Sequence, residues 1–179
     1  MSDSVTVWII AAVLLFWAVG AYKRLVRLRS QAIAAFVPLD AQFAHCAALV
    51  HGSFASIHDG GGPAAQAGLV GAALQLESSM KVARAQPLDV PVMRALETAH
   101  ETLCVSWARV RNEPPDLAGA PLPEALQLQW EHIARDAGNA RAEFNRRVRD
   151  YNAAIRQFPA GLLAGLFGFS PAHEIRDTA

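Results

Sequence analysis

The chain has 179 residues, enough for one domain with a real core, and its 16 basic and 16 acidic residues give a formal net charge of zero, which excludes global steering toward nucleic acid. Apolar residues make up 53%, with the excess at the N-terminus. The two cysteines, Cys46 and Cys104, form neither a disulfide framework nor a zinc-ligand spacing, and leave open only one bridge between themselves.

Residues 4–22, "SVTVWIIAAVLLFWAVGAY", carry no charge. At helical rise they cover about 28 Å, close to the hydrocarbon thickness of a bilayer. Trp8 lies near one end and Trp17 and Tyr22 near the other, where amphipathic rings suit the interfaces. A signal peptide would carry positive charge ahead of the apolar run, and only Asp3 stands there. A buried core helix fits poorly with apolarity on every face. A single transmembrane anchor is therefore expected within residues 1–22. Lys23, Arg24, Arg27 and Arg29 follow it directly, and no basic side chain precedes it. The positive-inside rule then predicts a short outer N-terminus and a cytoplasmic remainder, which suits unpaired cysteines.

Behind the anchor, apolar positions recur at 25, 28, 32, 36, 39, 43, 46, 50, 54 and 57, one stripe of a helix over about 23–57. Pro38 inside it predicts a bend near Val37. "HDGGGP" (58–63) ends the helix. A second stripe holds Leu69, Ala73, Leu76, Met80 and Ala83 and stops before Pro87; a third holds Met93, Leu96, His100, Leu103, Trp107 and Val110. The proline-rich "NEPPDLAGAPLP" (112–123) is a loop, and Pro123 opens the last helix with Glu124 beside its N-terminus. That helix carries the strongest seam: Leu126, Trp130, Ile133, Ala137, Ala140, Phe144, Val148, Tyr151, Ile155 and Phe158.

The expected fold is all-α: the anchor, an antiparallel four-helix bundle over 23–157, and an apolar C-terminal tail over 158–179. The first and last bundle helices, each roughly 52 Å long, flank two of about 35 Å. Short connections make the helices run out, back, out and back. The last helix then returns to the membrane with Arg146, Arg147, Arg149 and Arg156, and delivers Leu162, Leu163, Leu166, Phe167 and Phe169 to the bilayer surface. Interface contact, closure of the bundle end and a partner's groove are the three readings of that tail.

The segment "ARAEFNRRVRDYNAAIRQFPAGLLAGLFGF" (140–169) resembles the C-terminal signature of the LemA family. The matching positions are Ala140, Arg141, Phe144, Asn145, Val148, Tyr151, Asn152, Phe158, Pro159 and the Leu166-Phe167-Gly168-Phe169 end. "YKRLVRLRSQAIAAFVPLDAQF" (22–43) is similar to the family's entry into its first soluble helix, and "PPDL" (114–117) to the stretch before its final one. Phe36 stands where the family usually has Trp, and "HCAALVHGSF" (45–54) replaces a more polar family segment, marking a divergent member. The resemblance implies one N-terminal membrane helix, a small outer terminus and a cytoplasmic helical bundle, here at the bacterial inner membrane. It implies no established activity. Relatives encoded near membrane metallopeptidases and other envelope proteins, and some associated with forming membrane compartments, suggest a scaffold or adaptor with a protein partner.

For chemistry, Glu97, His100, Glu101 and Cys104 fall on adjacent faces of one helix, and Glu-x-x-His is the unit of di-iron bundles. No second copy accompanies it, so His100 is expected in the seam, with its glutamates solvated. Cys46 reads as a small buried hydrophobe and His45, His51 and His58 as solvated. "HDGGGP" lacks the end of a phosphate loop. No catalytic residue, metal or cofactor is expected, and no nucleic acid, since Glu143 and Asp150 interleave with the arginines of the last helix. Asn145 and Asn152, seven apart beside seam aromatics, are expected to bridge to a neighbouring helix. The function expected is a membrane-anchored scaffold or adaptor without catalysis. A metal-binding enzyme around Glu97, His100 and Cys104, or a homo-oligomeric membrane coat, are the alternatives.

Overall fold

A computed structural model describes residues 2–54, 63–113, 122–157 and 160–176. Five helices are present among them: α1 (Ser2–Ser53), α2 (Ala64–Ala85), α3 (Val90–Asn112), α4 (Glu124–Arg156) and α5 (Ala160–Phe167). No strand occurs among the described residues. "HDGGGP" apart from Pro63, "PPDL", Ile57, Phe158 and Pro159 lie outside them.

The apolar stripes become the core. Leu25, Ala32, Phe36, Leu39, Phe43, Cys46, Val50 and Phe54 of the first stripe are buried, as are all the named positions of the second and third. On α4, Trp130, Ile133, Ala137, Phe144, Val148, Tyr151 and Ile155 are buried, with Leu126 and Ala140 packed at the margin. Three- and four-residue spacing puts each set on one face, and burying those faces against one another is what stabilises helices of this length.

The apolar N-terminal stretch and the expected first bundle helix are one element. No breaker stands between Tyr22 and Lys23, and α1 runs unbroken across them. It also continues through Pro38, which lies on its exposed side. There the carbonyl left without its helical donor can bind water, so the helix does not end. Among the described residues α1 is the one helix long and apolar enough, by length and composition, to cross a membrane. Its first turns are bare: Trp8, Ile10, Val13, Leu15 and Phe16 are all mostly exposed.

The helices pair in opposite directions. Along α1 and α4, Arg24 meets Gln157, Phe36 packs edge-on against Phe144 at 5.9 Å, and Leu49 shares a groove with Ile133. Along α1 and α2, Nε of Arg84 donates to both carboxylate oxygens of Asp40, at 3.0 and 2.9 Å. Asp89 caps α3 by accepting from the backbone N–H of Val92, with a proline in the first turn. Across the centre, Phe43 stacks on His100 at 4.2 Å and Trp107 on Trp130 at 4.3 Å.

Candidate functional site

The chemistry-bearing side chains gather around the C-terminal segment rather than in a cleft. After Phe167 the chain turns at Gly168, whose φ of 70° suits a residue without Cβ. The backbone N–H of Phe169 returns to the carbonyl of Ala164 at 2.9 Å, closing α5 as a Schellman cap. Residues 169–176 then run without helix along α4.

Two asparagines hold that run by its backbone. Asn152 donates to the carbonyl of Ala172 and accepts from its N–H, both at 2.9 Å. Asn145, two turns earlier on α4, does the same for Ile175 at 2.7 and 2.9 Å. Each amide matches one residue's donor and acceptor, as a neighbouring strand would. Tyr151 donates its hydroxyl to the carbonyl of Ser170 at 3.0 Å. Ala172 and Ile175 are buried. The asparagines therefore bridge to the C-terminal segment, not to a neighbouring helix.

Glu97 corrects a second expectation. It is 6% exposed, not solvated, because its carboxylate faces the same segment. One oxygen meets Nε2 of His173 at 2.8 Å; the other accepts from the backbone N–H and Nε of Arg176. Burial pushes its carboxyl up, but these hydrogen bonds together outweigh it and hold the group below the usual carboxylate value. Sequence reading missed His173, Arg176 and Ile175. Ile175, a lone aliphatic residue in a polar run, was the one available signal.

His100 is buried against Phe43, with Sγ of Cys104 at 3.7 Å from Nε2. Burial first, and the charge of Arg141 second, push the imidazole down to about 4, so it is neutral near pH 7. Glu101 is exposed. Cys46 is buried, and burial pushes its thiol up to about 12. Cys46 and Cys104 are not joined in a disulfide. Among the described residues no three His, Cys, Asp or Glu side chains come together as a metal would need.

The membrane-facing candidates collect at one end. Tyr22 packs against Phe167 at 4.9 Å and Phe169 at 6.0 Å. Ala164 is the buried residue of α5, Leu163 is half-buried, and Leu162, Leu166 and Phe167 are exposed. Lys23, Arg24, Arg27 and Arg29 are exposed on α1, and Trp8 and Trp17 lie on its bare part. Of the α4 arginines, Arg146 and Arg147 pair with Glu143, and Arg149 with Glu174. Three guanidiniums thus share two carboxylates, and their charge is partly offset within the chain.

The signature residues thus have physical roles. Asn145, Tyr151 and Asn152 hold the C-terminal segment, Gly168 makes its turn, and Phe144 and Val148 fill the core against Phe36 and its neighbours. Neither the curated proteins nor the solved structures include a match to this chain. The family model of the LemA family matches residues 75–177, from the middle of α2 through the clamped segment. The chain belongs to the LemA family.

Proposed function

We propose that this chain is a membrane-anchored helical scaffold or adaptor of the bacterial envelope, with no catalysis of its own. In this reading residues 4–22 cross the inner membrane once, with the short N-terminus outside. The rest of α1 forms a cytoplasmic antiparallel four-helix bundle with α2, α3 and α4. One observation carries the reading: α1 passes without a break from a bare apolar stretch into a fully packed core. A rigid rod of this kind fixes the body's position and orientation relative to the bilayer, which a platform for a partner needs. The polar side chains in the best position for chemistry, Glu97, Asn145 and Asn152, are instead engaged in holding the chain's own end.

Two measurements test this. Alkaline phosphatase fused after Ala179 should be inactive and a fluorescent protein there bright; the reverse would overturn the topology. Cross-linking in native membranes, then purification of the full chain, should return an envelope protein in fixed ratio. Recovery of further copies of this chain alone would replace the adaptor with a self-assembling coat. A stoichiometric metal would replace it with an enzyme.

A further inference from the structure

Where the bare part of α1 enters the helical body, α1, α4 and α5 border a cavity of about 590 Å³. That volume lies within the roughly 300–1,000 Å³ of small-molecule sites. One wall runs along α1 from Val13 past Gly20 to Arg24; the other is Ala154, Gln157 and Ala160. The lining is apolar except at one end, where Arg24 donates to Oε1 of Gln157 across a long 3.5 Å. No protein atom fills the space over Gly20, where a Cβ would meet nothing within 4 Å.

The dimensions fit a lipid. From Val13 to Arg24 the helix rises about 16 Å, close to half of the roughly 30 Å hydrocarbon core. If α1 spans the membrane, the apolar end lies near the bilayer mid-plane and Arg24 at headgroup depth. Arg24, followed one turn later by Arg27, supplies the positive field, and the Gln157 amide supplies a second donor for a phosphate oxygen. A second copy of the span suits the groove less well, because side by side it would bring its own Arg24 to the same depth.

We propose that this cavity binds one anionic phospholipid of the surrounding leaflet, its acyl chain along the α1 wall and its phosphate on Arg24. The proposal rests on the membrane-spanning reading of α1, and its test separates the two. The full chain is first washed in membranes at alkaline pH. It is then purified in micelles with equal phosphatidylglycerol and phosphatidylcholine, and retained lipid is identified by native mass spectrometry. Wild type should stay in the membrane and keep one lipid, with phosphatidylglycerol preferred about fivefold, the size of one basic group's contribution near a charged surface. Gly20→Leu should fill the cavity and lose the lipid without changing the helical melting curve. Arg24→Gln should keep a lipid but bring the preference near unity. Extraction by the alkaline wash would overturn the spanning reading itself. A chain that stays in the membrane yet keeps no lipid, or keeps it equally well as Gly20→Leu, would overturn the site alone.

Discussion

Oε1 of Glu97 accepts from both the backbone N–H and Nε of Arg176, at 2.9 and 3.0 Å, across a separation of 79 residues. With His173 on the other oxygen, this contact joins the middle of α3 to the end of the chain. The Arg176 side chain is itself largely exposed, so the part-buried backbone N–H and His173 bonds carry most of the stabilisation.

The contact gives stability a defined pH dependence. Glu97 in the fold sits below its ordinary value of 4.5, so its stabilisation is present above that value and is lost as pH falls through the lower folded one. His100 acts earlier: its folded value of about 4 lies below the ordinary 6.5, so the unfolded chain takes the proton first and stability declines between those limits. In a protein beginning at Tyr22, the melting temperature should be flat near pH 7–8 and fall below about 6.5, with a further acid loss as pH drops below the ordinary carboxylate value. His100→Leu should remove the first slope, and Glu97→Gln the second, at roughly 1.5–3 kcal/mol near neutrality. A wild-type melting temperature constant from about pH 7 to 4 would refute the His100 assignment, and a Glu97→Gln variant with the same acid loss as wild type would refute that of Glu97.

Asn145 and Asn152 hold one segment at two points. Replacing either by alanine leaves a buried backbone donor and acceptor unmatched, at about 1–3 kcal/mol. Because both act on residues 169–176, the double variant should cost less than the sum of the singles, once the segment is released. Urea denaturation of the four proteins of the cycle measures this. Strict additivity would mean that the two asparagines act independently and that the segment is not a unit.

Trp107 on α3 and Trp130 on α4 stack nearly parallel, 10° apart, and both are buried. Each change to alanine should cost about 3–5 kcal/mol. A double-mutant cycle should show about 0.5–1.5 kcal/mol of coupling from the ring pair beyond simple burial. Zero coupling would indicate that the rings fill separate pockets.

Those tryptophans mark what the sequence makes legible. A helix buried on one side must repeat its apolar residues every three or four positions, so the stripes through Leu25, Leu69, Leu96 and Phe144 announce both element and core. Residues 169–176 offer no such period. They are held largely through backbone atoms, which any residue but proline presents, so in "FSPAHEIR" only Ile175, the lone aliphatic residue, hints at burial. For the same reason Glu97 looks like one more exposed glutamate until the distant segment is beside it. The continuity of α1 was readable, since no breaker separates Tyr22 from Lys23, but hydropathy changes there and invites a boundary that the backbone does not make.

The exposed face of α5 distinguishes the readings of the apolar tail. Leu162 and Leu166, four apart on one face, are 70% and 78% exposed, whereas Ala164 is packed and Phe167 touches Tyr22. Closure of the helical body therefore depends on Ala164 and the Tyr22–Phe167–Phe169 ring cluster, and the two leucines contribute little to it. Changing both to aspartate in a protein beginning at Tyr22 should leave the melting temperature within about 1–2 °C, since exposed substitutions rarely exceed 0.5 kcal/mol. Binding to vesicles rich in phosphatidylglycerol should weaken by roughly 3 kcal/mol or more, the burial of two leucines at 1.5–3 each. Phe167→Asp should differ by lowering melting as well, because it breaks the contact with Tyr22. If the leucine pair lowers melting, those residues close the body after all. If vesicle binding survives the change, α5 does not enter the bilayer surface, and a protein groove becomes the place to look for its apolar face.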